Sequence, residues 1–154
     1  MNAFKFLLVD DEKLFIEAVA QRLRLRGFKV DCAFSGKEAL EMLEKENTVD
    51  VVVLDINMPD LDGIETVAKL KTKCPLVEVV MVTGHAKVKT AIKSLKIGAF
   101  DYLTKPFDLD DLISKATQAA SRKKEREAKI LSIKTKPYIS ERERNKLISD
   151  ILST

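Results

Sequence analysis

The sequence predicts an α/β protein: a doubly wound, five-stranded parallel sheet with strand order 2-1-3-4-5, followed by a C-terminal helical extension. Two observations carry that prediction. Short β-branched runs recur at residues 4–9, 29–34, 50–54, 77–82 and 100–103, and the stretches between them carry apolar residues three and four apart. The central runs, Val51-Val52-Val53-Leu54 above all, are apolar almost throughout, which a strand requires only when both sheet faces are covered. Right-handed crossovers then favour the doubly wound order, with the ends of the first and third strands side by side at the switch in winding direction.

Each helix has its own signals. The first carries Leu14, Phe15, Ala18, Val19 and Leu23 as its expected inner face and stops at Gly27. The second opens at Ser35-Gly36-Lys37-Glu38, a capping-box spacing. The third follows Asp62-Gly63 and carries Ile64, Val67, Ala68 and Leu70, while the fourth carries Val88, Ala91, Ile92 and Leu95 before Gly98. Asp108 is the expected cap of the fifth, whose inner face holds Leu109, Leu112, Ile113 and Ala116. Beyond it, Arg122-Lys123-Lys124-Glu125-Arg126-Glu127 reads as a solvated continuation that Pro137 interrupts. A second capping box, Ser140 with Glu143, opens a short helix striped with Leu147, Ile148, Ile151 and Leu152.

The 154 residues suffice for one well-buried domain, expected at 3–121, with a basic helical extension at 122–154. Charge divides along the same line. The extension holds 10 Lys/Arg against 5 Asp/Glu, net +5, whereas residues 1–121 hold 17 against 19, net −2. No apolar run approaches the roughly 20 residues that span a bilayer, and strand-like sequence from Ala3 leaves no secretory layout. Cys32 and Cys74 match no metal or redox spacing and read as reduced thiols, so the expected compartment is the cytoplasm.

Three kinds of reactive side chain fall at the ends of four strands. Asp10 and Asp11 follow the first strand, Asp55 the third, Thr83 the fourth, and Lys105 the fifth. In a parallel sheet these ends share one edge, where open α/β sheets place their ligand sites. Clustered carboxylates repel unless a cation joins them, and hard oxygen ligands suit Mg2+. A carboxylate relieved of that repulsion can attack phosphorus, with Lys105 neutralising a phosphoryl oxygen and the Thr83 hydroxyl contacting the same group. Taken alone, any one strand-end Asp reads as a cap or turn former, and His85, the single histidine, as a surface loop residue. The joint pattern is what points to chemistry.

Val9-Asp10-Asp11-Glu12, Leu54-Asp55-Ile56-Asn57-Met58-Pro59, Asp62-Gly63, Val82-Thr83-Gly84 and Lys105-Pro106-Phe107 together resemble the receiver domain of two-component response regulators, the CheY-like family. The resemblance implies that Asp55 is the phosphoacceptor, that Asp11 binds Mg2+ directly and Asp10 through water, and that the Asn57 backbone carbonyl is a further ligand. It implies that Thr83 and Tyr102 form a switch pair, that Lys105 senses the phosphoryl charge, and that Asn57 and His85 tune dephosphorylation. The implied partner is a histidine kinase or histidine phosphotransfer protein. The implied catalysis is limited to self-catalysed phosphoryl uptake and autodephosphorylation.

Two other functions fit less well. An aspartyl-nucleophile phosphatase of the haloacid dehalogenase type needs a second carboxylate two residues after the nucleophile, where this chain has Asn57. A flavodoxin-like cofactor carrier would meet repulsion between its phosphate and Asp10-Asp11-Glu12. The 33 residues after 121 fall short of an effector domain, and Glu125, Glu127, Glu141 and Glu143 dilute their positive field. The expectation is therefore a receiver acting through protein contacts, with dimerisation through the tail as one route, no nucleic acid and no membrane. The alternative is the receiver part of a larger transcriptional regulator.

Overall fold

Residues 4–46, 48–58, 63–84 and 88–153 are described by the computed structural model. Five strands, β1 (Lys5–Val9), β2 (Lys29–Ala33), β3 (Val51–Asp55), β4 (Glu78–Thr83) and β5 (Asp101–Thr104), alternate with helices. These are α1 (Lys13–Leu25), α2 (Gly36–Lys45), α3 (Gly63–Lys73), α4 (Val88–Lys96) and α5 (Leu109–Lys134), followed by α6 (Glu141–Ser153). All pairings are parallel and the order is β2-β1-β3-β4-β5, as expected. The sequence-derived strand bounds are one residue early at most ends.

Successive strand residues face opposite sides of a sheet, and β1 divides its side chains accordingly. Phe6 and Leu8 enter a core built with Ile16, Val19, Leu23, Leu112 and Ala116 of α1 and α5. Leu7 and Val9 enter the opposite core with Leu43, Val67, Leu70 and Ala91 of α2, α3 and α4. Phe4, Phe6 and Phe28 close the first core with ring centroids 5.0–5.2 Å apart. Each large apolar side chain so buried contributes roughly 1.5–3 kcal/mol, and both layers are needed to cover the sheet.

Several local expectations are refined. In α1 the inner face is Ile16, Val19, Ala20 and Leu23; Leu14 and Ala18 are exposed, and Phe15 lies at the surface. Ala68 of α3 and Ile92 of α4 are also exposed. The Ser35 hydroxyl accepts from the Glu38 N–H as expected, but Glu38 reaches back to the Phe34 N–H. Asp108 occupies the N-cap of α5 without a side-chain cap bond. In the second box, Ser140 accepts from the Glu143 N–H at 3.1 Å.

The stretch after residue 121 is less solvated than its charge suggests. Helix α5 runs through it unbroken, and Arg126 is 5% exposed. Arg122 and Arg126 pair with Glu78, and Lys123 with Asp50, so the extension is anchored to the lower edge of the sheet. Helix α6 folds back against α5 with Leu147, Ile148, Ile151 and Leu152 half-buried. The Arg126 guanidinium donates to the carbonyls of Ile151 and Leu152 at 3.3 and 2.6 Å, closing the C-terminal end of α6.

Candidate functional site

The upper edge of the sheet gathers the strand-end residues. Val9 lies opposite Leu54 in the β1–β3 register, which sets Asp10 beside Asp55. The Lys105 N–H donates to the Thr83 carbonyl at 2.8 Å, holding the β5–α5 loop against the end of β4. Gly63 allows the start of α3 to close in on the loop after Asp55. A Cβ there would sit 2.8 Å from Ile56 Cγ2, inside contact distance.

Asp10 and Asp55 are 2% and 4% exposed, and their oxygens are partitioned alike. In each, Oδ1 accepts a backbone N–H two residues on, from Glu12 and Asn57, both at 2.9 Å. In each, Oδ2 faces the Lys105 ammonium, at 3.1 Å for Asp10 and 3.3 Å for Asp55. The backbone bonds fix the carboxylate planes, and the lysine supplies the cation that two nearly buried carboxylates demand. Burial pulls the Lys105 pKa down, yet the Asp10 hydrogen bond and the Asp55 and Asp10 charges outweigh it, so the net shift is upward.

Asp11 is exposed at the mouth of the site. One oxygen from each of Asp10, Asp11 and Asp55 lies within 4.8 Å of the others. Three hard oxygen donors at that separation, two of them pre-oriented, fit a small divalent cation. Asn57 is exposed beside Asp55, and its amide nitrogen would lie at ordinary contact distance, 3.9 Å, from a Cβ at Gly84.

Thr83 is fully buried, and its hydroxyl donates to the Gly84 carbonyl at 2.9 Å. Tyr102 is half-buried against the core formed by α2, α3 and α4. The structure thus brings Asp10, Asp11, Asp55 and Lys105 together, with Asn57 and Thr83 at the flanks. His85, Pro59 and Asp62 lie outside the described residues.

One site residue was misread in the sequence. Phe15, expected in the core, instead lies with its ring centroid 4.7 Å from Lys105 Nζ. Its position in the first turn of α1, four residues after Asp11, is the signal that could have located it.

This doubly wound fold with an acidic cluster and a lysine at its switch point defines a class of signalling domain. A family model, the response regulator receiver domain, matches residues 6–117, and the chain belongs to that family. Its sequence is 40% identical over 106 residues to the transcriptional regulatory protein ZraR of Escherichia coli K12, covering 69% of this chain and 24% of that one. A receiver domain structure from Clostridium thermocellum superposes with a TM-score of 0.76 at 35% identity, over 79% of this chain and 98% of the other. NtrX from Brucella abortus matches with a TM-score of 0.78 at 32% identity, over 97% of this chain and 34% of its own. The chain spans about a quarter of the length of the curated relatives it matches. It is a two-component receiver, and among the described residues no helix is long and apolar enough to cross a membrane.

Proposed function

We propose that this receiver takes a phosphoryl group onto Asp55 from a histidine kinase or histidine phosphotransfer protein and thereby changes its partner-binding surface. The observation that carries the reading is the shared geometry of Asp10 and Asp55: one oxygen of each is tied to backbone, and the other is turned to Lys105. Asp55 Oδ2 attacks phosphorus as the donor's N–P bond breaks, and the departing imidazole takes up a proton. Lys105 passes from that carboxylate oxygen to a phosphoryl oxygen as the transfer completes.

Asp11, Asp10, Asp55 and the Asn57 carbonyl would hold Mg2+, which supplies neutralisation of the charge an incoming phosphoryl group would otherwise meet. The Thr83 hydroxyl, now donating to the Gly84 carbonyl, would turn to the phosphoryl group, and the half-buried Tyr102 ring would turn further inward with it. Asn57 and His85 occupy the positions that would set the lifetime of the phosphoryl bond. In this reading residues 3–121 are the receiver and 122–154 a helical extension that transmits its state through protein contacts, and the turnover is self-catalysed uptake and autodephosphorylation.

A second reading, the receiver part of a larger transcriptional regulator, is favoured by the likeness to ZraR, a transcriptional regulatory protein, and by the NtrX match, which extends along 97% of the chain. Both readings share the same acceptor. Incubation with acetyl phosphate and Mg2+ should add one phosphoryl group to the parent chain and none to Asp55→Asn. Equal labelling of the two would remove Asp55 as the acceptor.

A further inference from the structure

Of the three paired groups Asp10, Asp55 and Lys105, the lysine is the most exposed. Its ammonium sits on a flexible four-carbon stem and is strongly hydrated, and its side chain is 26% exposed where those of Asp10 and Asp55 are 2% and 4% exposed. Both of its anionic partners are also the groups that would hold Mg2+. A cation that engaged them would weaken the lysine's two tethers together, just when its position matters.

A third contact does not compete with the metal. The Phe15 ring lies under the ammonium, 4.7 Å from centroid to Nζ. Phe107, two residues after Lys105, meets that ring edge-on at 6.3 Å and holds its tilt. The two rings and Lys105 share one wall of a cavity of about 340 Å³ between α1 and the β5–α5 loop. A ring face attracts a cation without consuming a carboxylate.

Resting on the reading of Asp55 as acceptor, we propose that Phe15 is a positioning residue: its π-face keeps the Lys105 ammonium at the site while Asp10 and Asp55 change partners during phosphoryl transfer. Phe15 touches no reacting atom and acts through the lysine. Its aromaticity is therefore what matters, beyond the volume it fills.

Phosphorylation of the full chain by phosphoramidate with Mg2+ separates these roles. Phe15→Leu and Phe15→Met keep an apolar side chain but no ring, and the rate should fall roughly two- to thirtyfold. Phe15→Tyr should hold the parent rate, and the melting temperature of the unphosphorylated chain should not follow the rates. An independent arm reads the Lys105 ε-methylene protons by NMR without phosphate. The ring should move them upfield of the other lysines in the parent and in Phe15→Tyr, and not in Phe15→Leu. Parent-like rates in Phe15→Leu and Phe15→Met, or equal slowing in Phe15→Tyr, overturn the proposal, as does the lack of an upfield shift in the parent. If Asp55→Asn labels normally, the acceptor assignment has failed, and the NMR arm still decides the Phe15–Lys105 contact.

Discussion

Replacing Glu78 with Gln tests how the C-terminal extension is held to the receiver. Glu78 opens β4 with 0% exposure, and three cations converge on it. Lys71 Nζ lies 3.2 Å and Arg126 Nη1 3.6 Å from Oε1, and Arg122 Nε lies 3.2 Å from Oε2. Glu78→Gln keeps the shape and removes the carboxylate charge on which the three cations converge. Removing one partner of a buried pair costs roughly 3–5 kcal/mol because the other charge stays uncompensated. Here the lower end applies, since Lys71 has an escape. Burial already lowers its pKa, and the Glu78 charge and hydrogen bond are what hold it up, so without them it can release its proton. It also keeps its bonds to the Pro75 and Val77 carbonyls at 2.9 and 3.0 Å. A loss of about 3 kcal/mol, at roughly 2–4 °C per kcal/mol for a chain of this size, lowers the melting temperature by about 6–12 °C. Urea unfolding followed by circular dichroism gives the free energy, and hydrogen exchange should show α6 loosened with it. A variant within about 1 kcal/mol of the parent would mean that the cluster is not what anchors the tail.

Three further outcomes follow from the same geometry. Mg2+ at ten times its dissociation constant should stabilise the fold by about 1.4 kcal/mol, seen as a raised melting temperature that Asp11→Ala abolishes; no rise in the parent would count against a preformed metal site. Lys105 has a raised pKa in the folded chain, so its contribution is full below the ordinary 10.5 and fades as pH climbs through the higher folded value. Metal-free melts of the parent and Lys105→Met should therefore differ at neutral pH and converge in strong alkali, and a gap that widens with pH would reverse the assigned sign. Truncation after Ala120 removes Arg122, Lys123 and Arg126, leaving Glu78 only Lys71 and Asp50 without its lysine. It should cost at least as much stability as Glu78→Gln while Asp55 still labels, and steep salt-dependent binding of duplex DNA by the full chain would point instead to a nucleic-acid tail.

What the sequence made legible, and what it hid, has a physical basis. Asp10, Asp11, Asp55 and Lys105 could be read because parallel strands share one edge, so position along each strand alone brings the side chains together. The strand order followed from the same regularity. The face of α1 could not be read this way. Leu14, Phe15, Ile16, Val19, Ala20 and Leu23 cover more than half of its circumference, and helical periodicity cannot choose between two overlapping apolar stripes. That ambiguity also hid Phe15 beside Lys105. Arg126 was hidden for the opposite reason, since a charged residue in a charged run reads as solvated. The available clue was Glu78, a carboxylate at the head of Val79-Val80-Met81-Val82, where burial demands a cation from elsewhere in the chain. Asp108 had the right position for a cap but makes no cap bond, a matter of rotamer that spacing does not encode.

An acyl phosphate can be reduced by borohydride in place, which marks the carboxylate that carried it. The full chain, treated with acetyl phosphate and Mg2+, reduced and digested, should yield a single modified residue, at position 55, in the peptide containing Leu54 and Ile56. Modification at Asp10 or Asp11, or no modification where the parent chain has gained a phosphoryl group, would show that the acceptor is not the carboxylate that the Asn57 N–H and Lys105 hold in place.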